Sequence, residues 1–133
     1  MKRSNFILLL ALLPTSVLAG TVVYTDSRHL PENLPLATTI VLLDEPYRLQ
    51  KKMFGQLSAD PQHATTQIMQ VMSSPKWQQN QQLLVTTYQR IMHAWKLGIR
   101  KVPAVVFDDR DVIYGTTDVA QAVALRQQVG GNQ

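Results

Sequence analysis

The fifteen residues from Lys101 to Gly115 leave this chain few folds to choose from. Ala104 to Phe107 is a short apolar run rich in β-branched side chains. Val112 to Tyr114 is a second, and the polar Asp108, Asp109, Arg110 and Asp111 stand between them. The pattern predicts a β-hairpin whose first strand is buried on both faces, because a strand with one wet face would alternate polar with apolar. Pro103 stands at the entrance of the buried strand, where a missing N–H disturbs the ladder least. Gly115 ends the second strand. Thr116, Thr117 and Asp118 then offer capping oxygens to a closing helix with Val119, Ala122, Val123 and Leu125 on its apolar face.

The rest of the chain supplies what a hairpin needs to become a domain. Gly20 to Thr25 is β-branched and aromatic, hence a first strand. Thr38 to Leu43 is a second, a continuous apolar run suited to a sheet interior. Between them Pro31 and Pro35 interrupt residues 26–36, so no long helix forms there and the connection is a loop. From Asp44 to Leu97 the apolar period lengthens to about 3.6 residues, and three helices follow. Asp44 or Glu45 caps the first and Pro46 starts it, with Leu49, Met53, Phe54 and Leu57 inward. Asp60 caps the second and Pro61 starts it, with Ala64, Ile68, Val71 and Met72 inward. Ser74 caps the third, with Pro75 at its first position; Trp77, Leu84, Tyr88, Ile91, Met92 and Trp95 make its stripe, and Gly98 stops it. The fold class is α/β: a small mixed sheet of about four strands with a helical insertion between strands 2 and 3, and a frayed tail at Val129 to Gln133.

The chain of 133 residues is the length of one domain. Its first nineteen residues have the layout of a secretory signal peptide: basic Lys2 and Arg3, apolar Phe6 to Leu13, and Val17-Leu18-Ala19 before Gly20. A membrane anchor is the alternative, but Pro14 and Thr15 cut the apolar run short of the roughly 20 residues that a span needs. The expected domain is therefore 20–133. Without Lys2 and Arg3 the 13 basic residues become 11 against 9 acidic, and the net charge falls from +4 to +2. The cations are scattered with no aromatic platform among them, which speaks against nucleic acid. No cysteine is present, so disulfides, thiol–disulfide exchange and Cys-ligated metal are excluded together.

Catalytic constellations are equally scarce. His29, His63 and His93 lack zinc-helix spacing. His93, beside the stripe of the third helix, reads as a partly buried structural histidine, and His63 as an exposed one. Asp108, Asp109 and Asp111 fall short of a twelve-residue calcium loop and lack its Gly and terminal Glu. Ser27 with His29 has no orienting acid to make it a nucleophile and base. What remains is a surface. Pro103 and the loop at Asp26, Ser27, Arg28 and His29 can form a groove with exposed backbone, able to hold an extended peptide by strand-like hydrogen bonding unless Arg28 or Leu30 fills it.

The Val-Pro-Ala-Val-Val-Phe strand, its hairpin, the closing Gly and the capped last helix resemble the second half of a thioredoxin-like domain. The resemblance implies a cis Val102–Pro103 bond. Ser27, Arg28, His29 and Leu30 stand where a redox member carries Cys-x-x-Cys. With Val-Tyr-Thr-Asp-Ser after the first strand, Ala-Trp-Lys-Leu-Gly-Ile before Pro103 and Tyr-Gly-Thr-Thr-Asp-Val-Ala after it, the mature chain also resembles a family of small exported proteins of integrating conjugative elements. That family is similar in fold to the TrbC-type pilin assembly protein. The resemblance implies a periplasmic accessory of the conjugative type IV secretion or pilus apparatus in a Gram-negative bacterium. It implies a groove at Asp26, Ser27, Arg28, His29, Val102 and Pro103 for a protein partner, no catalytic residue and no cofactor. It also implies no nucleic acid and no membrane insertion after signal cleavage. The alternative is a cysteine-independent periplasmic enzyme or chaperone of the same fold.

Overall fold

The computed structural model describes residues 20–131; the signal-peptide reading and the last two residues of the tail lie outside them. In chain order come β1 (Thr21–Thr25), β2 (Thr39–Leu42), α1 (Glu45–Phe54), α2 (Pro61–Met72), α3 (Trp77–Lys96), β3 (Ala104–Phe107), β4 (Asp111–Tyr114) and α4 (Val119–Gly130). The four strands form one mixed sheet in the order β2-β1-β3-β4, with β1 parallel to β2 and antiparallel to β3, and β3 antiparallel to β4. The fold class is thus mixed α/β with a four-stranded sheet, and α1 to α3 are inserted between the second and third strands as expected.

β1 and β3 are central, and helices cover both of their faces. Val23, Val105 and Phe107 point to one side and pack with Val119 and Ala122 of α4. Tyr24, Ala104 and Val106 point to the other and pack with Val41 and with Ala94 of α3. All four residues of β3 are buried, the reason for its unbroken apolar run. The hairpin turn carries Asp108 and Asp109 at φ 55° and 52°, and the Arg110 N–H donates to the Phe107 carbonyl at 3.0 Å. Two left-handed residues match the twist of the flanking strands, and Asp tolerates that conformation.

Several expectations shift. β2 is an edge strand with Val41 its only buried residue; Ile40 is 37 % exposed. Ile40 is level with Val23 in the parallel register and so faces the α4 side. There the prolines have replaced a covering helix between β1 and β2 by a loop.

The third helix begins at Trp77, not Pro75: Ser74 contributes a backbone turn, its carbonyl accepting from the Trp77 N–H at 3.0 Å, and no side chain caps the end. Its buried residues are Thr87 and Ala94, whereas Tyr88, Met92 and Trp95 are exposed.

In α4, Val119 and Ala122 are buried, but Val123 and Leu125 are not. The inward row continues instead to Arg126, whose guanidinium lies 4.8 Å from the Phe107 ring centroid and bridges Asp108 and Asp111 at 3.0 and 2.9 Å. The helix runs through Gly130, so Val129, expected in the frayed tail, lies within α4.

Finally, Leu57 lies beyond α1, and Met72 with it is exposed; α2 buries no residue.

A core cavity should therefore cost far more than loss of the edge residue. Val105→Ala is expected to destabilise by about 2–3 kcal/mol, and Ile40→Ala by less than about 1 kcal/mol. Urea denaturation of both variants checks the difference.

Candidate functional site

Because β1 and β3 are antiparallel with Tyr24 opposite Ala104, the exit of β1 and the entrance of β3 meet at one end of the sheet. Asp26, Ser27, Arg28 and His29 follow β1 at the end of the sheet where Val102 and Pro103 lead into β3. The Val102–Pro103 peptide is cis, as the resemblance implies. The Pro103 carbonyl accepts from the Gly115 N–H at 3.0 Å. Gly115 holds φ at 88°, a conformation natural to glycine. Among the described residues no hydrogen bond engages the N–H or the C=O of Val102. Its side chain packs against the α3-side core with Leu43, Leu97 and Ile99. One residue is thus anchored by its side chain while its backbone donor and acceptor stay open.

The opposing loop is held by two carboxylates. Asp26 accepts from the Arg28 N–H at 2.9 Å and pairs with His29 Nδ1 at 2.9 Å. Thr25, itself buried, donates its hydroxyl to the His29 carbonyl at 2.8 Å. Asp44 accepts from the Ser27 N–H at 3.0 Å with one oxygen and from the Ser27 hydroxyl with the other. Both carboxyls lie below the ordinary carboxylate range: Asp26 chiefly through the His29 hydrogen bond, Asp44 chiefly through the Ser27 hydroxyl, each against a smaller opposing effect of burial. Further along, the Glu32 N–H donates to the Thr117 carbonyl at 3.0 Å, and the Val119 N–H donates to the Glu32 carbonyl at 3.1 Å. These bonds clip the loop to the start of α4.

Ser27 gives its hydroxyl to Asp44 while His29 turns to Asp26, so the two belong to separate pairs and do not form a nucleophile and base. Arg28, His29 and Leu30 are all exposed. Among the described residues no group of three or more His, Cys, Asp or Glu could hold a metal ion.

His93 has the structural role expected of it. Its side chain is about half exposed and meets Asp109 at 3.3 Å, tying α3 to the hairpin. His63 is exposed as expected and pairs with Asp60 at 3.1 Å.

Asp44 is the site residue that sequence reasoning missed. It stands at the N-terminus of α1, one of the two acids expected to cap it, yet its side chain makes no cap bond there and reaches back seventeen residues to Ser27. The only trace in the sequence is redundancy: Asp44 and Glu45 both precede Pro46, where one acid would serve the helix terminus.

A family model described as "Protein of unknown function (DUF1525)" matches residues 18–130. No curated protein and no solved structure matches the chain.

The depressed Asp44 carboxyl fixes the sign of a pH effect. Its stabilising link to Ser27 is fully present above the ordinary carboxylate pKa of about 3.9 and is lost as the pH falls through the lower folded value. In an NMR titration the Ser27 amide resonance is expected to hold steady down to about pH 4 and to move below it. Asp44→Asn is expected to abolish that step.

Proposed function

The chain belongs to the family described as proteins of unknown function (DUF1525). From that premise we propose that it is a non-catalytic protein-binding or assembly module with a thioredoxin-like frame. It is exported to the periplasm of a Gram-negative bacterium and serves the conjugative type IV secretion or pilus apparatus of an integrating conjugative element. The strand order β2-β1-β3-β4 with its parallel and antiparallel pairs and the cis proline at the entrance of β3 support the frame. The signal-peptide layout of the first nineteen residues and the motifs around Trp95, Pro103 and Tyr114 support the location and the apparatus.

The observation that carries the binding role is the open backbone of Val102. A buried strand next to an unpaired N–H and C=O is the arrangement to which an extended chain adds by main-chain hydrogen bonds. The facing loop is fastened by Asp26 and Asp44, so it offers a preorganised wall and saves the partner the entropy of ordering it. Without cysteine the groove holds its partner by reversible contacts alone. In this reading Asp26 and Asp44 position the loop, while His29 and the Val102 backbone touch the partner. That partner is an extended segment of a protein component of the apparatus.

A photoreactive amino acid at His29, with a control at Gln79 on the exposed part of α3, tests this in mating donor cells. The expected result is one discrete adduct at His29 whose mass spectrum identifies a component of the conjugative apparatus, and none at Gln79. Equal labelling at both positions, or none at either with the protein folded and exported, contradicts the reading.

A further inference from the structure

The flank of α3 carries an apolar row that the described chain covers only in part. Val85, Tyr88, Met92 and Trp95 succeed one another at spacings of three, four and three residues, which aligns them along one line of the helix. They are 50, 44, 64 and 75 % exposed. Single exposed apolar residues are ordinary, but a continuous row including Met and Trp is not. A row one side chain wide has the dimensions of a helix–helix seam. The Tyr88 hydroxyl accepts from Gln50 Nε2 of α1 at 3.0 Å, which steadies the middle of the row.

Charge around this row is mostly of one sign, the carboxylate that reaches α3 being Asp109, which is paired with His93. From Pro61 to Phe107 the sequence has no Asp or Glu, yet it contains Lys76, Arg90, Lys96, Arg100 and Lys101. Lys96 lines one surface cleft with Met92 and Trp95, and Arg100 lines the next with Trp95 and Val102. Among the described residues neither cation enters a salt bridge. Most of the chain's own carboxylates are engaged elsewhere: Asp26 with His29, Asp44 with Ser27, Asp108 and Asp111 with Arg126, and Asp118 at the start of α4.

We infer that this flank of α3 is a docking surface for an acidic amphipathic helix of a partner protein. The partner's apolar residues lie along Val85, Tyr88, Met92 and Trp95, and its carboxylates face Lys96 and Arg100. A second copy of α3 fits less well, because it brings only glutamines and cations and leaves Lys96 and Arg100 uncompensated. A membrane surface fits less well too, because a helix lying in lipid buries a broad apolar face, and this row is bordered by Gln81, Gln82 and Gln89. The inference goes beyond the groove at Val102 and stands whether or not that groove is occupied.

The test uses the exported protein in a Trp77→Phe background, so that Trp95 alone reports by fluorescence. The probe is a designed helical peptide with leucines at three- and four-residue spacing and glutamates on both borders; its twin carries lysines in place of the glutamates. The glutamate peptide is expected to shift Trp95 emission to the blue at saturation, and the lysine peptide to leave it unchanged. Met92→Glu and Arg100→Glu are each expected to weaken binding by about tenfold or more, added salt to weaken it further, and His29→Ala in the groove to have no effect. No shift with the glutamate peptide, equal shifts with both peptides, or full binding by Met92→Glu overturns the inference. So does a Met92-dependent dimer in sedimentation equilibrium, which would make the occupant a second copy. A larger Trp95 shift on phosphatidylglycerol vesicles than on the peptide overturns it as well, in favour of lipid.

Discussion

The antiparallel pairing of β1 with β3 is the constraint on which the rest of the molecule depends. Its register sends Val23, Val105 and Phe107 to α4 and Tyr24, Ala104 and Val106 to α3, so one four-residue strand serves two cores. A chain of this size has little apolar surface to spare, and a strand covered on both faces uses it most fully. The same register sets the exit of β1 against the entrance of β3, so the Asp26 to His29 loop and the cis Val102–Pro103 bond share one end of the sheet.

The segment between β1 and β2 shows what the chain does without a helix. Its prolines forbid one, and side-chain carboxylates take over the fastening: Asp26 closes the turn at His29, Asp44 holds Ser27, and Glu32 is clipped to Thr117 and Val119 through its backbone. The cost is visible at Ile40 and Leu36, which lie exposed along that connection and the β2 edge. Fixed polar bonds to backbone N–H groups suit a loop meant to keep one shape, since each satisfies a donor that would otherwise need water.

Much of this was legible in the sequence because local signals and tertiary packing agree. The apolar run at Ala104 to Phe107, the acidic turn, Gly115 and the Asp118 cap each had one sensible reading, and the prolines at 31 and 35 excluded a helix without ambiguity. Legibility ended where a residue had a good local explanation and a better distant one. Asp44 does stand at the N-cap of α1, but its side chain fastens the loop at Ser27 instead of the helix. Ile40 looked interior because its strand is apolar, but which strands are edges depends on what covers each face, and a missing helix leaves no mark in β2 itself. Tyr88, Met92 and Trp95 fit a helical stripe, yet the stripe is wider than the face that α3 buries. Periodicity reports an apolar arc and not how much of it the sheet can reach. Arg126 was missed for the converse reason: a cation on an inward row becomes reasonable only once Phe107, Asp108 and Asp111 are in position around it.

The two surfaces described here share an edge, since Trp95 and Val102 line one cleft. In the proposed reading the groove takes main-chain contacts and the α3 flank takes side-chain contacts. The groove is the part on which the functional account stands, and its central claim is that the Val102 backbone is open while its neighbours are paired. Amide hydrogen exchange followed by NMR on the free protein tests that most directly. The expected result is fast exchange at Val102 beside strong protection at Val105 and Val106 in β3 and measurable protection at Ser27, whose N–H is held by Asp44. Protection at Val102 equal to that of β3 would mean that the chain satisfies this amide itself, and would contradict the account.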